Sequence, residues 1–332
     1  MTDFQTSKDV VRAHYGALAS ATPATVAAIL AQHVTSECHW RGMHPFNEQT
    51  GPDAIASAFW APLLTAMPRL HRREDIFFAG LNEIDGFSST WVASMGHLVG
   101  NLDAPFLGIP ATGKMAFLRY AEFNRVEDGK ITETALFVDL LHLMAQAGVY
   151  PLPPQTGAHL VQPGPLTHDG QLHDAQDAKA GTKTLDLINF MIGDLQASRV
   201  ENLSPAQELA RSWHDDMIWW GPAGIGASYT IERYIEQHQS PFRTHLTDYE
   251  FNGHLCRMAE GNYGGFFGWP NLRMRNTGGY MGLPAGAPSE MRVVDFYRRD
   301  GDKLAENWIF IDMLHFLKLQ GLDVLERLAT LR

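Results

Sequence analysis

An acid set alone in an apolar strand is the pattern in this chain with the clearest chemical consequence, and it occurs twice. Phe137-Val138-Asp139-Leu140-Leu141-His142 returns as Phe310-Ile311-Asp312-Met313-Leu314-His315, at an offset of 173 residues. Burying a carboxylate among apolar side chains is costly unless it is hydrogen-bonded, exposed in a cavity or used. In an apolar cavity its pKa would rise towards neutrality, which suits a group that removes a proton beside a carbonyl and returns it. The opposing reading is structural: Asp139 can cap the following helix by accepting from backbone N–H groups after Leu140. His97 shares a strand face with Trp91 and Met95. It could polarise a substrate carbonyl or shuttle the proton, or it could be a core histidine bonded to the backbone. His142 and His315 follow their acids by three residues, so a helical turn would let acid and histidine pair. Their presence in both copies suits a structural role.

The elements that must position these groups also repeat. Each hexapeptide follows an acid-rich turn, Glu127-Asp128-Gly129-Lys130 or Asp300-Gly301-Asp302-Lys303, and precedes an apolar helix with a glycine, Gly148 or Gly321. The chain therefore reads as two copies of one domain, 1–148 and a diverged 183–332, joined by a Pro-rich linker over 149–182. In the first copy Thr6 or Ser7 is expected to cap a helix carrying Val10, Val11, Tyr15 and Leu18, and Thr22-Pro23 starts a second. A short strand near 37–40 and a helix over 53–64 come next, then strands over 70–80, 88–100, 115–126 and 131–141. Helices followed by antiparallel strands predict an α+β fold, with N-terminal helices against one face of a curved sheet. Such a sheet makes a cone whose inward-pointing residues line a ligand pocket.

The second copy keeps the outline. Ser204-Pro205 repeats Thr22-Pro23, and Trp219-Trp220-Gly221 repeats Trp40-Arg41-Gly42. Strands are expected over 246–253, 262–269, 289–299 and 304–314, with a closing helix over 315–329. The candidate ligand-lining residues are Tyr15, His39, Trp40, Trp91 and Phe137 in the first copy. Those in the second are Trp219, Trp220, Trp269, Trp308 and Asp312.

Composition narrows the partners. Lys and Arg total 26 against 37 Asp and Glu, a net charge of −11, so no broad basic field exists to hold phosphate backbones. Nucleic acid is not an expected partner, and a small apolar molecule is. Cys38 and Cys256 occupy non-matching repeat positions and form no Cys-x-x-Cys pair, which argues against a disulfide framework or thiolate zinc site. His159, His168 and His173 in the linker match no ligand spacing, and no His pair beside an acid suggests a metal elsewhere. Gly-x-Gly-x-x-Gly, Walker and serine-elbow sequences are absent, so no metal or organic cofactor is expected. Residues Met1 to Thr6 show no basic region before an apolar run, and no window reads as a membrane span. A cytoplasmic protein is the expectation.

Several stretches of copy one resemble a known family. His97, Phe106-Leu107-Gly108-Ile109-Pro110-Ala111-Thr112-Gly113-Lys114, Phe123-Asn124-Arg125-Val126-Glu127-Asp128-Gly129-Lys130-Ile131 and Asp139-Leu140-Leu141 are similar to the SnoaL-like polyketide cyclases, of the NTF2-like superfamily of α+β cones. Here Gly100 to Pro105 lengthen the usual spacing, and in copy two Ala285-Gly286-Ala287 replaces Thr-Gly-Lys while Trp269 stands at the position of His97. The resemblance implies an acid/base enzyme without metal or organic cofactor, closing or isomerising an apolar carbonyl compound by proton abstraction and intramolecular aldol chemistry. Asp139 would be its acid/base, His97 its partner, and Asp312 the match to the acid alone. It also implies an intramolecular pseudo-dimer, with further association open. Two other readings remain: a non-catalytic protein binding an apolar ligand, and an epoxide hydrolase or dehydratase in which Asp139 activates water.

Overall fold

A computed structural model describes residues 4–201 and 203–330. It comprises two compact α+β units. One runs through Pro151 and takes in Leu166–Ala175 and the closing helix Val324–Thr330. The other comprises Leu152–Pro165 and Gln176–Gly321. These units cut across the segments marked by the repeat, because the 149–182 stretch is divided between them and the last helix groups with the first copy. Part of that stretch is not linker at all: a helix, Ala178–Glu201, begins within it.

The first unit is a six-stranded sheet of β1 (Val34–Gly42), β2 (Glu48–Thr50), β3 (His71–Leu81), β4 (Thr90–Asn101), β5 (Met115–Glu127) and β6 (Lys130–Val138). Their order is β2-β1-β6-β5-β4-β3, with β1 parallel to β6 and the other pairs antiparallel. The helix Gln5–Leu18 buries Val11, Tyr15 and Leu18 on one stripe, together with Lys8 and His14. Neither Thr6 nor Ser7 caps it; Phe4 holds the N-cap position without a side-chain bond. The helix expected over 53–64 spans Pro52 to Ala66 and contains a π turn at Ala56–Trp60. Asp128 at φ 48° and Gly129 at φ 75° form the two-residue turn between β5 and β6, with φ positive at both positions as a tight hairpin requires.

The second unit has β7 (Trp213–Trp220), β8 (Ser228–Tyr229), β9 (Leu246–Phe251), β10 (Cys256–Glu260), β11 (Tyr263–Asn276), β12 (Pro288–Asp300) and β13 (Lys303–Ile311). The order is β10-β11-β12-β13-β7-β8, and β9 also pairs with β11. Strand β10 was not expected, and β11 runs past Trp269-Pro270 instead of ending there. A register shift between Gly268 and Leu272 absorbs the proline, which cannot donate to a ladder. Gly321, at φ 93°, interrupts the expected 315–329 helix, which is two helices, Met313–Leu319 and Val324–Thr330.

Both repeated acids lie just past their strands. Asp139 is the N-cap of Leu140–Gln146 and its Oδ1 accepts from the His142 N–H at 2.9 Å; Asp312 does the same for His315 at 3.2 Å. The acid thus takes the backbone N–H of the histidine, not its ring. His142 Nδ1 is bonded by Gln146 at 3.1 Å and His315 Nε2 by Glu290 at 3.1 Å. Each acid also joins its own sheet, donating its N–H to the carbonyl of Arg119 or Arg292. Arg292 Nη1 stands 3.4 Å from Asp312 Oδ2, and burial pushes Arg119 down to about 9 against the opposing pull of Asp139.

Asp312 is 0% exposed, so removing it loses a cap and takes from Arg292 the nearer of its two carboxylates, leaving Glu290 at 4.0 Å. Asp312→Ala should cost about 3 kcal/mol or more in urea unfolding, and adding Arg292→Met should recover part of that loss. A loss below about 0.5 kcal/mol for the single variant would contradict this role.

Candidate functional site

Strand alternation divides each sheet into two faces. In the first unit Val92, Asn124 and Thr134 align across β4, β5 and β6; so do Ser94, Glu122 and Leu136, and Gly96, Tyr120 and Val138. Tyr15 on the N-terminal helix marks this as the helix-covered face, since its hydroxyl accepts from Asn124 Nδ2 at 3.1 Å. Thr134 then donates to Asn124 Oδ1 at 2.8 Å. Arg72 of β3 reaches across the same face, with its guanidinium 3.7 Å from the Tyr15 ring centroid and 4.4 Å from that of Tyr120. Its Nη1 bonds Glu122 Oε2 at 2.8 Å. Ser94 and Tyr120 share a 2.7 Å hydrogen bond, and Ser94 lies 3.4 Å from Glu74 Oε2.

Electrostatics sort these groups. Burial alone would lower the Arg72 pKa, but Glu122, Tyr120 and Tyr15 hold it above its ordinary value. Its Nη2 is buried without a partner among the described residues. Burial pushes the Glu74 carboxyl up to about 7, and Arg72 and Ser94 offset this only in part. The Glu74 side chain keeps 15% exposure, and His173 Nε2 stands 3.5 Å from its Oε1. His173 arrives on the 166–175 stretch, which adds to the edge of β3: Phe77 N donates to Gly170 O at 2.9 Å, and Leu172 N to Phe77 O at 2.8 Å. Farther along, Trp40, Phe46, Phe59 and Phe106 make an apolar cluster with ring centroids 4.9–6.5 Å apart.

The second unit has its own interior acid. Asp295, Tyr297 and Asn307 share a face with Trp219, and helices cover that face, because Trp219 stacks on His238 at 4.1 Å and meets Tyr234 at 5.4 Å. Asn307 Nδ2 donates to Asp295 Oδ1 at 3.0 Å. Burial raises Asp295 to about 7 despite the bonds from Asn307 and Tyr297, and pushes His238 down to about 3.

The residues singled out from sequence divide between the faces. Tyr15, Trp40 and Trp219 are helix-facing. His39, Trp91, His97, Phe137 and Asp139 align with positions of the opposite face, as do Trp220, Trp269, Trp308 and Asp312. The expectation that Asp139 and His97 share the interior with Tyr15 is therefore corrected: the strand period of two places them on the other side. They remain neighbours, since His97 pairs with Arg119, whose carbonyl takes the Asp139 N–H, and His97 Nδ1 lies 3.4 Å from Asp75 Oδ2. His39 is bonded to Glu48 at 2.8 Å, Trp91 Nε1 to Ser89 at 2.9 Å and Trp308 Nε1 to the Pro163 carbonyl at 3.0 Å. Arg292 lies 4.1 Å over the Trp269 ring. Arg72, Glu74, Glu122 and Asp295 were missed, although Glu122 and Asp295 carry the signal that singled out Asp139, an acid flanked by apolar strand residues.

An open depression of about 590 Å³ bordered by Arg69, His71, Asn101 and Asp103 contains none of the interior groups. Among the described residues no three His, Cys, Asp or Glu side chains converge as metal ligands, and no helix is long and apolar enough to cross a membrane.

Comparison with known proteins bears on the first unit. Residues 10–147 match the model of the SnoaL-like polyketide cyclases. This region of the chain is similar to that family. The SnoaL-like domain is also similar to solved structures. IdmH of Streptomyces antibioticus, a proposed polyketide cyclase, is 17% identical over 43% of this chain and 99% of its own, with a TM-score of 0.36. A SnoaL-like protein of Jannaschia sp. CCS1 is 23% identical over 46% and 95%, with a TM-score of 0.33. An NTF2-like protein of Burkholderia thailandensis E264 is 23% identical over 45% and 98%, with a TM-score of 0.32. No curated protein matches the chain.

The SnoaL-like domain and the second unit each hold an acid whose folded pKa is raised, so each group's stability contribution is complete below the ordinary carboxylate range and declines as pH climbs through about 7. Replacing both by Glu74→Gln and Asp295→Asn should flatten the stability profile between about pH 5 and 8, by roughly 2–3 kcal/mol per carboxyl. Urea titrations across that range read the difference, and parallel profiles for parent and double variant would refute the burial argument.

Proposed function

We propose that the SnoaL-like domain is an acid/base catalyst working through side chains alone on an apolar carbonyl compound with an acidic C–H beside the carbonyl. One observation supports this most directly: Glu74 titrates near neutrality two residues from Arg72, whose Nη2 carries unused donors, on the helix-covered face of the sheet. A base poised near the working pH balances the fraction ionised against the force of proton transfer. Glu74 would take the α-proton, and the electron pair of the C–H bond moves into the enolate. Arg72 Nη2–H then meets the developing oxyanion in a site already organised by Glu122 and the two tyrosine rings. Glu74 returns the proton to another carbon in an isomerisation, or to the new alkoxide after the enolate carbon attacks a second carbonyl in an aldol closure. The Trp40, Phe46, Phe59 and Phe106 cluster suits the apolar body of such a substrate.

This assignment takes the place of the Asp139 and His97 pair implied by resemblance, since Asp139 is occupied as a helix cap. Proton exchange at the α-carbon of 1-phenyl-1,3-butanedione in D₂O, followed by NMR, provides an assay. Glu74→Gln should slow exchange about 100-fold or more while leaving binding of the diketone within a few-fold, and the parent kcat/KM should rise with pH through about 7. Asp139→Asn should lower stability and leave kcat near the parent value. Full exchange by Glu74→Gln, or its loss in a folded Asp139→Asn, would remove Glu74 from this role.

A further inference from the structure

The helix-facing acid is kept in both repeats, but its charge partner is not. Glu122 and Asp295 are separated by the same 173-residue offset that relates Asp139 to Asp312. In the first unit Arg72 meets Glu122 at 2.8 Å. Sheet register locates the matching position in the second. Arg72 and Leu118 both pair with Leu98, while Phe251 and Met291 both pair with Leu272. Leu118 and Met291 are again related by that offset, so the register position of Arg72 is held by Phe251, an exposed residue that brings no cation.

Asp295 consequently has no ion-pair partner among the described residues. Arg257 is the guanidinium in the same row, opposite Phe266, which is itself opposite Asp295. It donates to His254 Nδ1 at 3.3 Å and to Asn189. The surroundings of Asp295 are aromatic: Phe266 across the strand pair, Tyr297 on the same strand, Trp219 farther along the same sheet face, and Tyr234 from the helix side. Phe266, Asp295 and Tyr297 are buried, and Tyr234 and His238 are half-buried.

A buried carboxyl without a cation favours any ligand that brings one, and aromatic faces attract cations as well. We propose that the second unit binds the protonated amine of an otherwise apolar molecule, with the ammonium paired to Asp295 and flanked by Phe266, Tyr297 and Tyr234. The ligand's charge takes the place that Arg72 fills for Glu122. Burial that holds Asp295 near neutrality is the cost that such a cation relieves. The chain's net charge of −11 favours the approach of cations. This is a binding function of a different unit from the proton transfer proposed above, and either can fail without the other.

Benzylamine and benzyl alcohol, similar in size and differing in charge, test it by isothermal titration of the full chain at neutral pH. Benzylamine should bind about tenfold tighter or more than the alcohol. That preference should vanish in Asp295→Asn and should survive in Glu74→Gln. Thermal unfolding of Asp295→Asn at or above the parent midpoint excludes misfolding as the cause. Equal affinity for the two probes, no binding of benzylamine at about millimolar concentration, or a preference that outlasts Asp295→Asn would overturn the proposal, as would its loss in Glu74→Gln.

Discussion

The guanidinium of Arg72 sets the terms for the first unit. A carboxylate under helices is tolerated only where its lost hydration is replaced, and Glu122 recovers it from one 2.8 Å charge-assisted bond. That bond fixes Arg72 between Tyr15 and Tyr120. Tyr15 in turn links the N-terminal helix to Asn124 and Thr134. The apolar helix stripe supplies burial, but this polar chain specifies where the helix sits along the sheet. The neighbouring acid shares this burial, which pushes the Glu74 carboxyl up to about 7, with Arg72 offsetting it only in part.

A bulge makes the arrangement possible. The register of β3 against β4 shifts between Glu74 and Ile76, which leaves Asp75 outside the regular pairing. Arg72 and Glu74 keep the helix-facing side before the shift, and Asp75 approaches His97 of the opposite face. One extra residue thus separates two acidic neighbours into different environments, with Glu74 among interior groups and Asp75 beside a histidine and Arg73.

The repeat itself, the turn between β5 and β6 and the α+β order of elements were legible in the sequence because each rests on local signals: recurring residue order, Asp-Gly, and a change of hydrophobic period. The two sheet faces were harder. Strands β4 and β5 are buried on both sides over most of their length, so hydrophobicity alternates too weakly to say which face the helices cover. Asp139 looked chemical because it is a lone acid among apolar residues, and the same appearance belongs to a helix cap seen without its backbone. Arg72 and Glu74 were hidden for the opposite reason: Arg72-Arg73-Glu74-Asp75 reads as a solvated run, and only pairing shows that two of the four turn inward. Neither Pro270 nor Gly321 acts as the sequence suggests: a bulge lets β11 continue past the proline, and the glycine divides a helix expected to run through it.

Divergence after duplication follows the same physics. The aspartate cap at the strand-to-helix junction survives in both copies because it closes a backbone problem, orphan N–H groups at a helix start, that is common to both whatever they bind. The interior is under no such constraint. Ser94 becomes Phe266, Tyr120 becomes Val293, Asn124 becomes Tyr297 and Thr134 becomes Asn307, as the paired registers show. Each change alters what the cavity can solvate, yet an acid remains at the position of Glu122 and Asp295. Replacing Arg72 by Phe251 while keeping that acid would be a net destabilisation if the group served only the fold, since a buried ion pair costs most when one member is removed. Retaining the acid without its cation is the arrangement expected when an occupant other than the protein completes the pair.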